Sequence, residues 1–124
     1  NLAKKFPNVT FLGIKKWGEL ADIYRSVDVF VFPSKTDTLG LVNLEAMACG
    51  KPIVAYDIEN MRGIVTHGKN GILINENSAL ESGISDALKL LPENCVASAQ
   101  EFCWENHVKK FLENQSPISH NLWI

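Results

Sequence analysis

The run VDVFVF at residues 27–32 constrains this chain most, being nearly continuous in apolar residues and stopped by Pro33 and Ser34. A strand of that kind has no polar face to offer water, so it belongs in a parallel sheet covered on both sides. Three further runs have strand composition: VTFL at 9–12 between Asn8 and Gly13, IVAY at 53–56, and ILI at 72–74 after the turn GKNG. Helical patterns lie between them. Leu20, Ile23, Tyr24 and Val27 fall at i, i+3, i+4 and i+7, the apolar face of a helix beginning near Gly18. Residues 40–49 form another, ended by Gly50 and Pro52, and a short helix precedes Val65. Such alternation predicts an α/β fold, a Rossmann-like parallel sheet with flanking helices.

The remaining third reads as helical. Ser78 and Glu81 have the spacing of a capping box ahead of Leu80, Ile84, Ala87, Leu88 and Leu91, with Pro92 closing the segment. A second helix is expected over 93–102. A third follows, with Trp104, Val108, Phe111 and Leu112 on one face. The tail at 114–124 has no clear period, although it ends on the apolar Leu122, Trp123 and Ile124. The expected organisation is one domain at 1–113 and a tail at 114–124.

Composition narrows the function classes. Twelve Lys and Arg stand against fourteen Asp and Glu, neither gathered into a long run, which argues against nucleic acid as a partner. The cysteines, Cys49, Cys95 and Cys103, are odd in number and lack CxxC pairing, so neither a disulfide framework nor a structural zinc is expected. A reducing cytoplasm fits this pattern. No apolar run approaches the roughly 18 to 20 residues of a membrane-spanning helix. The opening NLAKKFPNVT has neither a signal core nor an initiating methionine, so the chain is expected to be part of a longer one.

The helix at 40–49 carries the chemistry. Leu41, Val42, Leu44, Ala46, Met47, Ala48 and Cys49 leave only Asn43 and Glu45 as polar members, which predicts a buried helix. An ionised Glu45 there costs several kcal/mol of desolvation unless donors from protein or ligand meet it. Ribose hydroxyls are such donors. At the start of the helix, Thr38, Leu39 and Gly40 offer unsatisfied backbone N–H groups and the positive end of the dipole, a natural seat for a diphosphate. From Gly40 to Glu45 the rise is roughly 7 to 8 Å at about 1.5 Å per residue, close to the spacing between a diphosphate and its ribose. Asp37, just outside the helix, is placed to meet hydroxyls of a sugar beyond the phosphates.

These residues, in the stretch VDVFVFPSKTDTLGLVNLEAMACGKPIVAY, resemble the donor-site core of the large family of retaining glycosyltransferases with the GT-B fold. FLG at 11–13, ELADIYRSVDV at 19–29, HGKNGILI at 67–74 and FCWENHVKKFL at 102–112 are similar to the same family. The resemblance implies that Glu45 binds ribose hydroxyls and that Asp37, where glutamate is commoner, contacts the transferred sugar or its phosphate. It implies that backbone N–H groups of Thr38, Leu39, Gly40 and Leu41 hold sugar and diphosphate, and that Gly13 and Ile14 meet the base. The implied reaction is metal-independent transfer, with retention, from a UDP-, GDP- or ADP-linked sugar to an acceptor held by a separate N-terminal domain. The implied setting is the cytoplasm, peripheral to the inner face of a membrane in the full-length protein. Asn60 and Gly63 stand where the family often has glycine and an acid, so that loop receives no ligand role.

In the doubly wound order 3-2-1-4-5-6, the strands of this chain are 3 to 6, and the first two of the domain are missing. The chain should then leave apolar strand edges exposed, pair its first strand abnormally, or self-associate through those edges. Simpler readings stand beside the sharper ones. Glu45 could be a structural carboxylate paired with a cation, and Asp37 or Thr38 a helix cap. Lys35, Lys51 and Arg62 read as solvated charge, and His67, His107 and His120 as structural or exposed. A non-catalytic Rossmann-like nucleotide-binding or assembly module is the alternative to an enzyme part.

Overall fold

The computed structural model describes residues 2–36 and 41–105. After a single helical turn, α1 (Leu2–Lys5), the amphipathic α2 (Trp17–Ser26) leads into β1 (Phe30–Phe32). Then come α3 (Leu41–Ala48), β2 (Ile53–Tyr56), the one-turn α4 (Glu59–Arg62) and β3 (Gly71–Ile74). A 3-10 turn (Leu80–Gly83), the short α5 (Ile84–Ala87) and the long α6 (Pro92–Glu105) complete the described fold. The three strands form a parallel sheet in the order β1-β2-β3, with Phe30 opposite Ile53 and Ile53 opposite Gly71. This is the expected Rossmann-like α/β architecture, strand following helix.

The central strand shows why the sheet is layered. Ile53, Val54 and Ala55 are fully buried. Ile53 and Ala55 face a core that includes Tyr24, Leu44, Met47, Met61 and Ala99, whereas Val54 faces Ile72, Leu80 and Ala87. Period-two alternation thus sends the side chains of one strand into two separate cores, which requires helices on both faces. Strand spacing leaves no room at one position: a Cβ on Gly71 would meet the Ile53 carbonyl oxygen and lie 2.9 Å from Val65 Cγ1.

Four local expectations are corrected. Residues 9–12 form no strand, and Val9, Phe11 and Leu12 are exposed. A ladder needs a neighbour to take its N–H and C=O groups, and in the doubly wound order the neighbour of that strand is not β1. The run therefore neither pairs with β1 nor stands as an exposed strand edge, and its apolar side chains are left exposed in the single chain. Second, the strand at 27–32 shrinks to Phe30–Phe32, and Val31 is 37% exposed rather than covered. It lies at the open edge of the sheet. Third, no capping box forms at Ser78. The N-cap of the 3-10 turn is Ala79, and the Ser82 hydroxyl donates back to its carbonyl at 2.7 Å. Fourth, Pro92 opens α6 instead of closing a helix, and α6 runs to Glu105 without the break expected after Phe102. The rest of the third expected helix, the boundary at 113, and His107 and His120 lie outside the described residues.

Candidate functional site

Helix α3 packs on β1, β2 and α6 with Leu44, Ala46 and Met47 buried. Its C-terminus is held by a tight cap: Gly50 N–H donates to the Met47 carbonyl at 2.9 Å and Lys51 N–H to the Ala46 carbonyl at 3.0 Å. Gly50 adopts φ +78°, the left-handed conformation that this double bond requires. Glycine at 50 therefore fixes where α3 ends and where β2 begins.

Within this helix Glu45 is only 8% exposed, and both carboxylate oxygens are buried without a hydrogen-bond partner among the described residues. Burial pushes its pKa up to about 8. Tyr24 of α2 stands close enough for electrostatic coupling. Burial first, then the charges of Glu45 and Cys49, hold its phenol above the usual range. The Tyr24 ring is itself fixed edge-on against Phe30 at 5.7 Å. Asn43, fully buried, has an Oδ1 without a partner among the described residues and a 3.9 Å contact from Nδ2 to Met61 Sδ. The structural-carboxylate reading of Glu45 thus lacks its required cation among the described residues.

Leu41 opens α3 and is half-buried, four residues before Glu45 and on the same side of the helix. Asp37, Thr38, Leu39 and Gly40 lie outside the described residues. Gly13 (φ +69°) and Ile14 (84% exposed) belong to the segment leading into α2, the helix that brings Tyr24 to Glu45. Of the surface cations, Arg62 pairs with Asp57 at 2.6 Å, and Lys35 Nζ lies 4.8 Å from the centre of the Tyr56 ring. His67 has a structural part, its Nδ1 accepting the Leu73 N–H at 3.0 Å.

Two residues escaped the sequence reading. Tyr24 counted only as an apolar helix position, because helical spacing does not say what the next helix brings to it. Asn70 read as a turn residue, yet it is 2% exposed. Its Oδ1 accepts the Thr66 N–H at 2.8 Å, its Nδ2 donates to the Ile64 carbonyl at 3.4 Å, and its own carbonyl accepts the Ile53 N–H at 3.1 Å. A cavity of about 280 Å³ lies beside it, lined by Gly63, Thr66, Lys69, Ser98 and Glu101. Glu45 does not line that cavity, which is therefore separate from the surroundings of the buried carboxylate.

Among the described residues no His, Cys, Asp or Glu cluster could hold a metal ion, Cys49 and Cys95 are free thiols, and no helix is long and apolar enough to cross a membrane.

A parallel three-stranded sheet with helices on both faces, and on the helix between its first two strands a buried carboxylate without a partner among the described residues, defines a Rossmann-like α/β domain. Comparison with known proteins places it more narrowly: the profile of the family described as glycosyl transferases group 1 matches residues 3–102, and the chain belongs to that family. The resemblance read from the motifs is borne out. The chain is 33% identical over 116 residues to a D-inositol 3-phosphate glycosyltransferase of Gordonia bronchialis, covering 87% of this chain and 25% of that protein. With the protein of the same name from Rhodococcus erythropolis it shares 34% identity over 91% of this chain and 27% of the relative. An uncharacterized glycosyltransferase of Methanocaldococcus jannaschii is 32% identical over 82% of this chain and 31% of its own length. The chain thus spans about a quarter to a third of the length of these curated relatives.

Proposed function

We propose that this chain is the nucleotide-sugar-binding part of a retaining glycosyltransferase with GT-B architecture, transferring a hexose from a UDP-, GDP- or ADP-linked donor. The acceptor is held by the remainder of a longer protein. The observation that supports this reading best is Glu45, whose two buried oxygens have no partner among the described residues, on a helix whose other buried side chains are apolar except Asn43. Ribose hydroxyls supply the donors it lacks. The diphosphate is held on the N-terminal side of Glu45 by backbone N–H groups of Thr38, Leu39, Gly40 and Leu41. Asp37 meets the transferred sugar or its phosphate, and Gly13 and Ile14 border the base. Transfer runs without a metal, and the enzyme works in the cytoplasm, at the inner face of a membrane when complete.

Calorimetric titration with UDP, GDP and ADP tests the reading. One of them should bind, and Glu45→Gln should weaken that binding by about 1 to 3 kcal/mol, the scale of a charge-assisted hydrogen bond. Binding to none of the three would favour a non-catalytic assembly module. Unchanged affinity in the Gln variant would remove the ribose role.

A further inference from the structure

We propose that Glu45 carries a proton while its site is empty and releases it to water when hydroxyls of a nucleoside diphosphate take its oxygens, so that ligand binding by this chain is coupled to proton release. The inference rests on the donor-binding reading above and adds a pH control to that site.

The geometry leads there first. Both oxygens are buried and unpartnered among the described residues, and nothing described around them balances a negative charge. From α2 comes the neutral phenol of Tyr24, and from the end of α3 itself the thiol of Cys49. Arg25 and Lys51 act on Cys49. The strands and α6 contribute Phe32, Ile53, Ala55, Ala99 and the buried thiol of Cys95 to the same core. A lone carboxylate among such groups is far costlier than the neutral acid. The rise of its pKa to about 8 by burial agrees with this.

In the coupled step the carboxyl O–H bond breaks and its proton passes to solvent. Two ligand hydroxyls keep their own protons and donate to the carboxylate left behind. Only the ionised form accepts both bonds, so the apparent affinity should climb about tenfold per pH unit below the free-state pKa and level off above it.

The test follows isotope-labelled glutamate carboxyl carbons by NMR across the acid to alkaline range, without ligand and saturated with whichever of UDP, GDP or ADP binds. Glu45→Gln identifies the signal, and Glu45→Asp serves if the first variant does not fold. Calorimetry in two buffers of different ionisation enthalpy counts the protons released. Support requires a free-state signal titrating above neutrality that moves well into the acid range on binding, with close to one proton released at neutral pH. A free-state signal in the ordinary carboxylate range overturns the inference while leaving nucleotide binding intact. Binding with no proton release overturns it too. A high titration point with no nucleotide bound overturns the donor-binding reading, and the coupling falls with it.

Discussion

At the scale of single residues, the buried acid sets how stability follows pH. Glu45 titrates near 4.5 when unfolded and is pushed up to about 8 in the fold, so the folded state holds a proton that the unfolded state has lost between those values. Its contribution is greatest below the unfolded value, falls as pH rises through the window, and is flat above it. Denaturant unfolding at a series of pH values should therefore show a decline of up to about 1.4 kcal/mol per pH unit that is absent in Glu45→Gln. A parallel decline in both proteins would contradict the assignment to this residue. Asn70 makes a different prediction, because its side chain ties residues 64 and 66 to the start of β3. Asn70→Ala should cost about 1 to 3 kcal/mol in the same assay, the penalty for orphaning buried polar groups. Neither effect can be read from residue type alone. A glutamate in an apolar helix announces only that some partner is required.

At the scale of elements, the motif residues set their own boundaries well. The apolar run IVAY became β2 without a residue's difference, and Gly50 ended α3 as its spacing required. That cap can be tested. Gly50 has φ +78°, and an added Cβ would stand 3.3 Å from Pro92 Cβ, so Gly50→Ala meets both backbone strain and a crowded α6. The expected loss is about 1 to 2 kcal/mol from the left-handed conformation alone, seen as a lower midpoint with an unchanged denaturant slope. Elements whose local patterns were equally clear fared worse where a neighbour decided the matter. Ser78 and Glu81 have capping-box spacing, but the chain first forms a 3-10 turn from Leu80, where Gly83 packs against Ile72 and Ile74. Residues 9–12 have strand composition and no ladder.

For the whole molecule, the exposed segment ahead of α2 is the clearest departure from a closed fold. Phe11 and Leu12 are 52% and 46% exposed, which is not how buried strand residues behave. Changing both to serine in the 124-residue chain should move its unfolding free energy by no more than about 0.5 kcal/mol, the usual range for surface positions. A loss of several kcal/mol would show that these residues are packed after all. The parallel sense of β1, β2 and β3 and the helices on both faces were readable from the alternation of strand and helix patterns, whereas the strand order was expected only on the doubly wound topology. The helix with the buried carboxylate was readable too, since its polar positions are only Asn43 and Glu45. What periodicity could not supply was which groups meet across elements. That the charge of Glu45 acts on Tyr24 and that no cation pairs with Glu45 among the described residues are consequences of how α2 and α3 come together, and that Asn70 clamps a loop follows from the path of residues 64–70. Tyr24 and Glu45 lie far apart in the chain and the Asn70 bonds span a loop that has no period, whereas helical and strand periods report only on repeating near neighbours.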